Sequence, residues 1–170
     1  KGDSIHSIYH ALQSEDPHFI SQIVMKTAPN LLKLGQFDLI MESLKAIPSD
    51  YFEKYPALYY FEGEANRYRA YYEKSKQAYQ KSLELATSNN DAFYMSYAHA
   101  GLAHIYLDTI QPGLADPHLA KAIAFANQTT TMSQSDMYNL KRQFAENLVN
   151  LGKTREAKAF IEEEQLPESL

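Results

Sequence analysis

The chain has 170 residues, 45% of them hydrophobic, a formal net charge of -5 and no cysteine. There is enough apolar chain for one domain with a continuous core, and the charge has the wrong sign to attract phosphate backbones or anionic lipid, so direct nucleic-acid and membrane binding are disfavoured. Without cysteine there is no disulfide framework, thiolate nucleophile or cysteine metal site, and the expected location is the cytoplasm. The opening KGDSIHSIYHALQ lacks the apolar run of a signal peptide, and no stretch reaches the roughly 18 apolar residues of a membrane helix. The absence of an initiator Met points to a segment of a longer protein.

In chain order, a leading helix is predicted over 4–14, closed by the turn QSEDPH (13–18). Asp16-Pro17 resembles an N-cap followed by a first-turn proline, where the missing N–H costs little. A first hairpin follows over 18–48. Phe19, Ile23, Thr27, Leu31 and Leu34 form its apolar stripe, with a kink expected at Pro29 and a turn at LGQF (34–37). The stretch IPSDYFEKYP (47–56) reads as a connection. Hairpins are then predicted over 56–87, 91–127 and 134–165, separated by TSNND (87–91) and NQTTTMSQSD (127–136). Phe144, Leu148 and Leu151 form a stripe in the last. Asp116-Pro117 resembles a second N-cap and proline, so the second helix of the third hairpin is expected to begin near Asp116. No segment has the alternation of a strand, and helices joined by short turns imply antiparallel pairs.

The hairpins share a register. A small residue in the first helix is followed seven positions later by a turn residue, then by positions five, four and three further along the second helix. The sets are Ala28, Gly35, Ile40, Leu44, Ile47; Gly63, Ala70, Ser75, Tyr79, Ser82; Ala103, Ile110, Ala115, Leu119, Ala122; and Ala145, Gly152, Ala157, Ile161, Glu164. A small side chain lets paired helices approach, and larger ones fill the seam. GEANRYRAYYEKSKQAYQKSLELA and LVNLGKTREAKAFIEEE resemble tetratricopeptide repeats, although Ala70 and Ile110 replace the turn glycine and Tyr59 and His99 stand at the usual tryptophan position. The expected fold is all-α, a right-handed superhelical stack of about four tetratricopeptide-like hairpins forming a single domain.

A narrower resemblance covers most of the chain. His10-Ala11-Leu12 before an acidic turn, Ala28 to Gly35, Leu44 to Pro48 and Pro56-Ala57-Leu58 are similar, in order and spacing, to the start of the helical-repeat sensor domain of MalT-like, LuxR-type transcriptional activators. That resemblance implies a domain lying between a nucleotide-binding switch ATPase and a DNA-binding helix-turn-helix. There it would receive an inducer such as a sugar, or a regulatory protein, and control self-association. Neither flanking motif is in this sequence, so ATP and DNA are not assigned to it.

No phosphate-binding loop, G-x-S-x-G or H-E-x-x-H occurs, so a non-enzymatic role is expected, with no cofactor. His99 and His104 are five apart, roughly 140° around a helix. With His118 they read as ordinary helix or rim histidines rather than metal ligands. The run Glu162–Glu164 reads as a solvated helix end. Repeat geometry assigns to a concave, partner-binding face Tyr60, Glu64, Arg67 and Tyr68 in the second hairpin, Tyr97, His104 and Asp108 in the third, and Arg142 and Glu146 in the fourth. Tyr71, Tyr72 and Tyr79 are expected between helices. The alternative reading is a free-standing adaptor or chaperone-type scaffold that binds peptide segments. An enzyme would require a closed polar pocket with strongly perturbed carboxylates.

Overall fold

The computed structural model describes residues 3–166, and these form ten helices and no strand. The chain divides into two compact units, Lys1–Asn89 and Asn90–Leu170. The first holds α1 (Asp3–Gln13), α2 (Pro17–Lys33), α3 (Phe37–Lys45), α4 (Ser49–Phe52), α5 (Pro56–Tyr68) and α6 (Tyr72–Ser88). The second holds α7 (Ala92–Asp108), α8 (Pro112–Ala126), α9 (Gln134–Asn150) and α10 (Thr154–Glu163). Among the described residues no helix is long and apolar enough to cross a membrane.

In the first unit α1 packs on α2, α2 on α3 and α5, α3 on α5, and α5 on α6. Asp16 caps α2 as its sequence suggests: its carboxylate accepts from the His18 and Phe19 amides, with Pro17 in the first turn. The buried face of α2 is Ile20, Ser21, Val24, Thr27, Ala28 and Leu31: Thr27 and Leu31 of the predicted stripe are buried, Ile23 is half-buried and Phe19 is exposed. The helix continues through Pro29, whose missing N–H falls on its solvent side. The connection 47–56 contains the extra turn α4, which packs on α2 and α5.

In the second unit α8 packs on both α7 and α9, and α10 lies on α9. Ala103, Ala115, Leu119, Ala122, Ile123, Ala126 and Leu140 form the core cluster, with Phe144 and Phe160 meeting edge to face beside it. The second helix of this pair is not shortened. It starts at Pro112 and runs through Pro117. The lost N–H at Pro117 concerns only the Gly113 carbonyl, in an exposed first turn where solvent can replace it. Freed from capping, the Asp116 carboxylate accepts from Asn147 of α9 and Lys153, each at 3.2 Å.

Four turns share one backbone geometry. Gly35, Ala70, Ile110 and Gly152 all have φ between 58° and 73°. Each donates its amide to the carbonyl three residues back, and the next residue donates to the carbonyl five back: Gln36 to Leu31, Tyr71 to Asn66, Gln111 to Tyr106 and Lys153 to Leu148. This pair of hydrogen bonds, which also closes α10 at Gln165 and Leu166, terminates a helix through a left-handed residue, and glycine adopts it without a Cβ clash. Ile110 is β-branched and 88% exposed, so it bears the clash with no packing in return. Ile110→Gly is therefore expected to raise the unfolding free energy by about 1 kcal/mol, and Gly152→Ala to lower it by a similar amount. Urea denaturation measures both, and a destabilised Ile110→Gly would refute the assignment of strain to this turn.

Candidate functional site

The α5–α6 seam is the most specific polar arrangement in the first unit. A Cβ added at Gly63 would lie 2.5 Å from Cε1 of Tyr79, so only glycine lets the Tyr79 ring cross α5 at this level. Ser75 and Ser82 fasten the two helices by donating to the Gly63 and Pro56 carbonyls at 2.8 Å. Passing Gly63, the fully buried Tyr79 places its hydroxyl against Glu64 and donates to Oε1. The other Glu64 oxygen faces Arg67 Nη2 at 3.4 Å, and the two side chains are only 7% and 11% exposed. Burial, with the Glu64 carboxylate beside it, pushes the Tyr79 phenol well above its ordinary range, so it stays a donor at neutral pH.

Two of the four residues assigned to this face are therefore turned into the fold. Glu64 accepts from both Arg67 and Tyr79. Tyr60 is half-buried against Phe61 and Tyr79. Tyr68 is 52% exposed: its ring stacks on Phe37 at 4.9 Å, and the Arg67 guanidinium lies 4.4 Å from its centroid. Both faces of the ring are thus in contact within the protein, and what it shows to solvent is its edge and hydroxyl. Tyr71 is also half-exposed rather than packed between helices, with Arg69 4.9 Å and Lys74 5.6 Å from its ring.

In the second unit, residues of α7 meet residues of α9. The Tyr97 hydroxyl donates to Asp136 at 3.0 Å, and Asp136 also receives the Ser133 hydroxyl at the start of α9. His104 Nε2 and Gln143 Oε1 are 2.8 Å apart, which makes Nε2 the donor and leaves Nδ1 an acceptor. That Nδ1 is buried without a hydrogen-bond partner. Arg142 and Glu146 pair at 3.0 Å along α9, both about two-fifths exposed. Asp108 is exposed at the end of α7. Glu164, read as part of a solvated run, instead receives the Lys141 ammonium from α9.

Sequence reasoning did not pair His99 with His118. Their Nδ1 atoms are 3.0 Å apart across α7 and α8, and His99 also stacks on Phe125 with its ring 3° from parallel. One imidazole must donate and the other accept, so the pair holds together only while at least one ring is neutral. Burial, with His118 and Lys121 nearby, lowers the His99 pKa to about 4. A nineteen-residue separation across a turn carries no local signal of this contact. His104 lies apart from the pair, on Gln143, and among the described residues no group of three or more His, Cys, Asp or Glu could hold a metal ion.

Compared with protein-family models and with curated proteins, the chain finds no match.

Two outcomes follow from these contacts. Arg67→Ala leaves the Glu64 carboxylate buried beside Tyr79 and is expected to cost roughly 3 kcal/mol, whereas Glu64→Gln with Arg67→Met should recover much of the loss. Denaturation curves test this, and an additive double variant would contradict the buried-pair account. His99 has its folded pKa below its unfolded value near 6.5. The unfolded chain therefore takes up this proton first, and stability falls as pH drops from about 6.5 towards 4, by at most ~3 kcal/mol. Thermal melts across that window should show the slope in the parent and a shallower one in His99→Gln; equal slopes would reject it.

Proposed function

We propose that this chain is a non-enzymatic protein-interaction and signal-sensing domain built of about four tetratricopeptide-like helix hairpins. It serves a MalT-like, LuxR-type transcriptional regulator, in which binding of a protein, peptide or small inducer such as a sugar is relayed to self-association. The observation that supports the repeat reading is a spacing kept four times between a buried small residue and a turn. Gly35, Ala70, Ile110 and Gly152 share a left-handed backbone and the same pair of closing hydrogen bonds, each seven residues after a buried small residue. A duplicated unit keeps such a backbone even where its side chains have diverged. The regulator reading is supported by the ordered motifs between His10 and Leu58.

A sensing face needs exposed side chains held in fixed positions. Taken unit by unit, Tyr68 meets that description in the first, and Arg142 with Glu146 meets it separately in the second. Glu64 and Arg67 act instead as a support: their pair holds the end of α5 from which Tyr68 projects. This division of roles decides which variants are informative. Loss of Arg67 would unsettle the helix seam, whereas Tyr68 and Arg142 can be truncated without opening a core.

The test has two arms. The gene encoding this chain is expected to carry a phosphate-binding loop before it and a helix-turn-helix after it; a gene with neither overturns the regulator assignment. Separately, thermal-shift and NMR titrations with oligosaccharides and with acidic and basic peptides should give a ligand whose affinity falls about tenfold or more in Tyr68→Ala or Arg142→Ala, with melting temperatures unchanged. Peptide binding with no response to sugars, from a gene without the flanking domains, would favour the adaptor scaffold.

A further inference from the structure

Beside the core cluster of the second unit, α7 and α8 meet through four aromatic rings set alternately from one helix and the other. In order they are Phe125, His99, His118 and Tyr106, with successive ring centroids 5.8, 5.2 and 5.6 Å apart. The alternation follows from antiparallel pairing. His99 and Tyr106 are seven residues apart on α7, and His118 and Phe125 seven apart on α8, so each pair lies on one helix face. At the middle of this ladder two imidazoles meet, Nδ1 to Nδ1 at 3.0 Å; His99 is 6% exposed and His118 half-buried.

A phenyl ring in either middle place would be indifferent to pH, but two facing imidazoles are not. With both rings neutral, or one charged, a single hydrogen lies between the two Nδ1 atoms. With both charged, each Nδ1 carries a hydrogen, and the bond joining the helices becomes a repulsion between like charges. The surrounding charges do not relieve it. From α8 the Lys121 ammonium acts on His99 with the same sign, and from α7 the Tyr106 ring meets His118. The carboxylate of Asp116, two residues before His118, is held by Asn147 and Lys153. On α9, Asp136 is held by Tyr97 and Ser133, Glu146 by Arg142, and Lys141 by Glu164.

We infer that this ladder is an acid-opened latch: a second proton entering between His99 and His118 parts α7 from α8 along the four rings, while the neighbouring core of Ala103, Leu119 and Leu140 holds the unit together. That core carries no titratable group, so the opening is local and reverses when the proton leaves. It releases Phe125, whose ring now lies 3° from parallel to His99. Such a device differs from a general loss of stability in acid by where it acts. It requires neither the repeat reading nor a ligand.

The test is an NMR pH titration of the full chain, following ring-to-ring contacts and relaxation dispersion at Phe125, His99, His118 and Tyr106. The closed ladder binds the second proton at about 4 and the open one near 6.5, so opening is driven as pH falls between these values. From pH 7 to pH 5 the open-to-closed ratio should rise about twentyfold. The His99–Phe125 contact is expected to weaken over this window while contacts among Ala103, Leu119 and Leu140 persist. His118→Phe fills the ladder and leaves one imidazole, which can charge without facing another, so its His99–Phe125 contact should survive at pH 4.5. Lys121→Glu, a change at an exposed position, removes the like charge and should make the rise several-fold smaller. The inference is overturned if the His99–Phe125 contact survives protonation of both imidazoles, if His118→Phe opens like the parent, if Lys121→Glu changes nothing, or if the Leu119–Leu140 contacts are lost at the same pH, which would mean that the unit unfolds as a whole.

Discussion

The paired helices depend on close approach at one small residue. Ala28, Gly63, Ala103 and Ala145 are all buried, and in the second pair the requirement is absolute, because the Tyr79 ring occupies the space a methyl group would need. Once two helices are that close, the remaining seam is settled by what can fit: serines that reach across to carbonyl oxygens at Ser75, Ser82 and Ser96, and alanine or leucine elsewhere. The turn seven residues later then has little freedom, since it must reverse the chain within a helix diameter.

Much of this was legible in sequence because it is local. Turn positions, the Asp16 cap and the spacing from small residue to turn residue are all written within a dozen residues. The apolar stripe of α2 was right at Thr27 and Leu31 but misplaced in its first half, because Phe19 outweighs Ile20 and Val24 in any reading by residue type, although it lies on the solvent side. The start of α8 was displaced because Asp-Pro is a sound capping signal; here Asp116 has a stronger use, held by Asn147 and Lys153 from thirty or more residues away.

The candidate face was less legible for the same reason. Helical periodicity correctly groups Tyr60, Glu64, Arg67 and Tyr68 on one side of α5, but it cannot say that Tyr79 arrives from the next helix to claim the Glu64 carboxylate. A charge that appears solvated in one helix becomes an interior contact in two. The histidines behave alike: angular separation along α7 rightly set His99 apart from His104, and the partner of each came from a different helix, His118 for one and Gln143 for the other.

The turn at Ile110 has a consequence for how such a fold diverges. Its backbone matches the turns at Gly35 and Gly152, yet its side chain is among the least suited to that conformation. What the four turns have in common is therefore a set of dihedral angles, maintained by the helices on either side, and not a letter at the turn itself. A stable seam can absorb a cost of about 1 kcal/mol, so mutation can erase the glycine signature one turn at a time while the architecture persists. Kinship between such chains would then outlast any motif written in residue names.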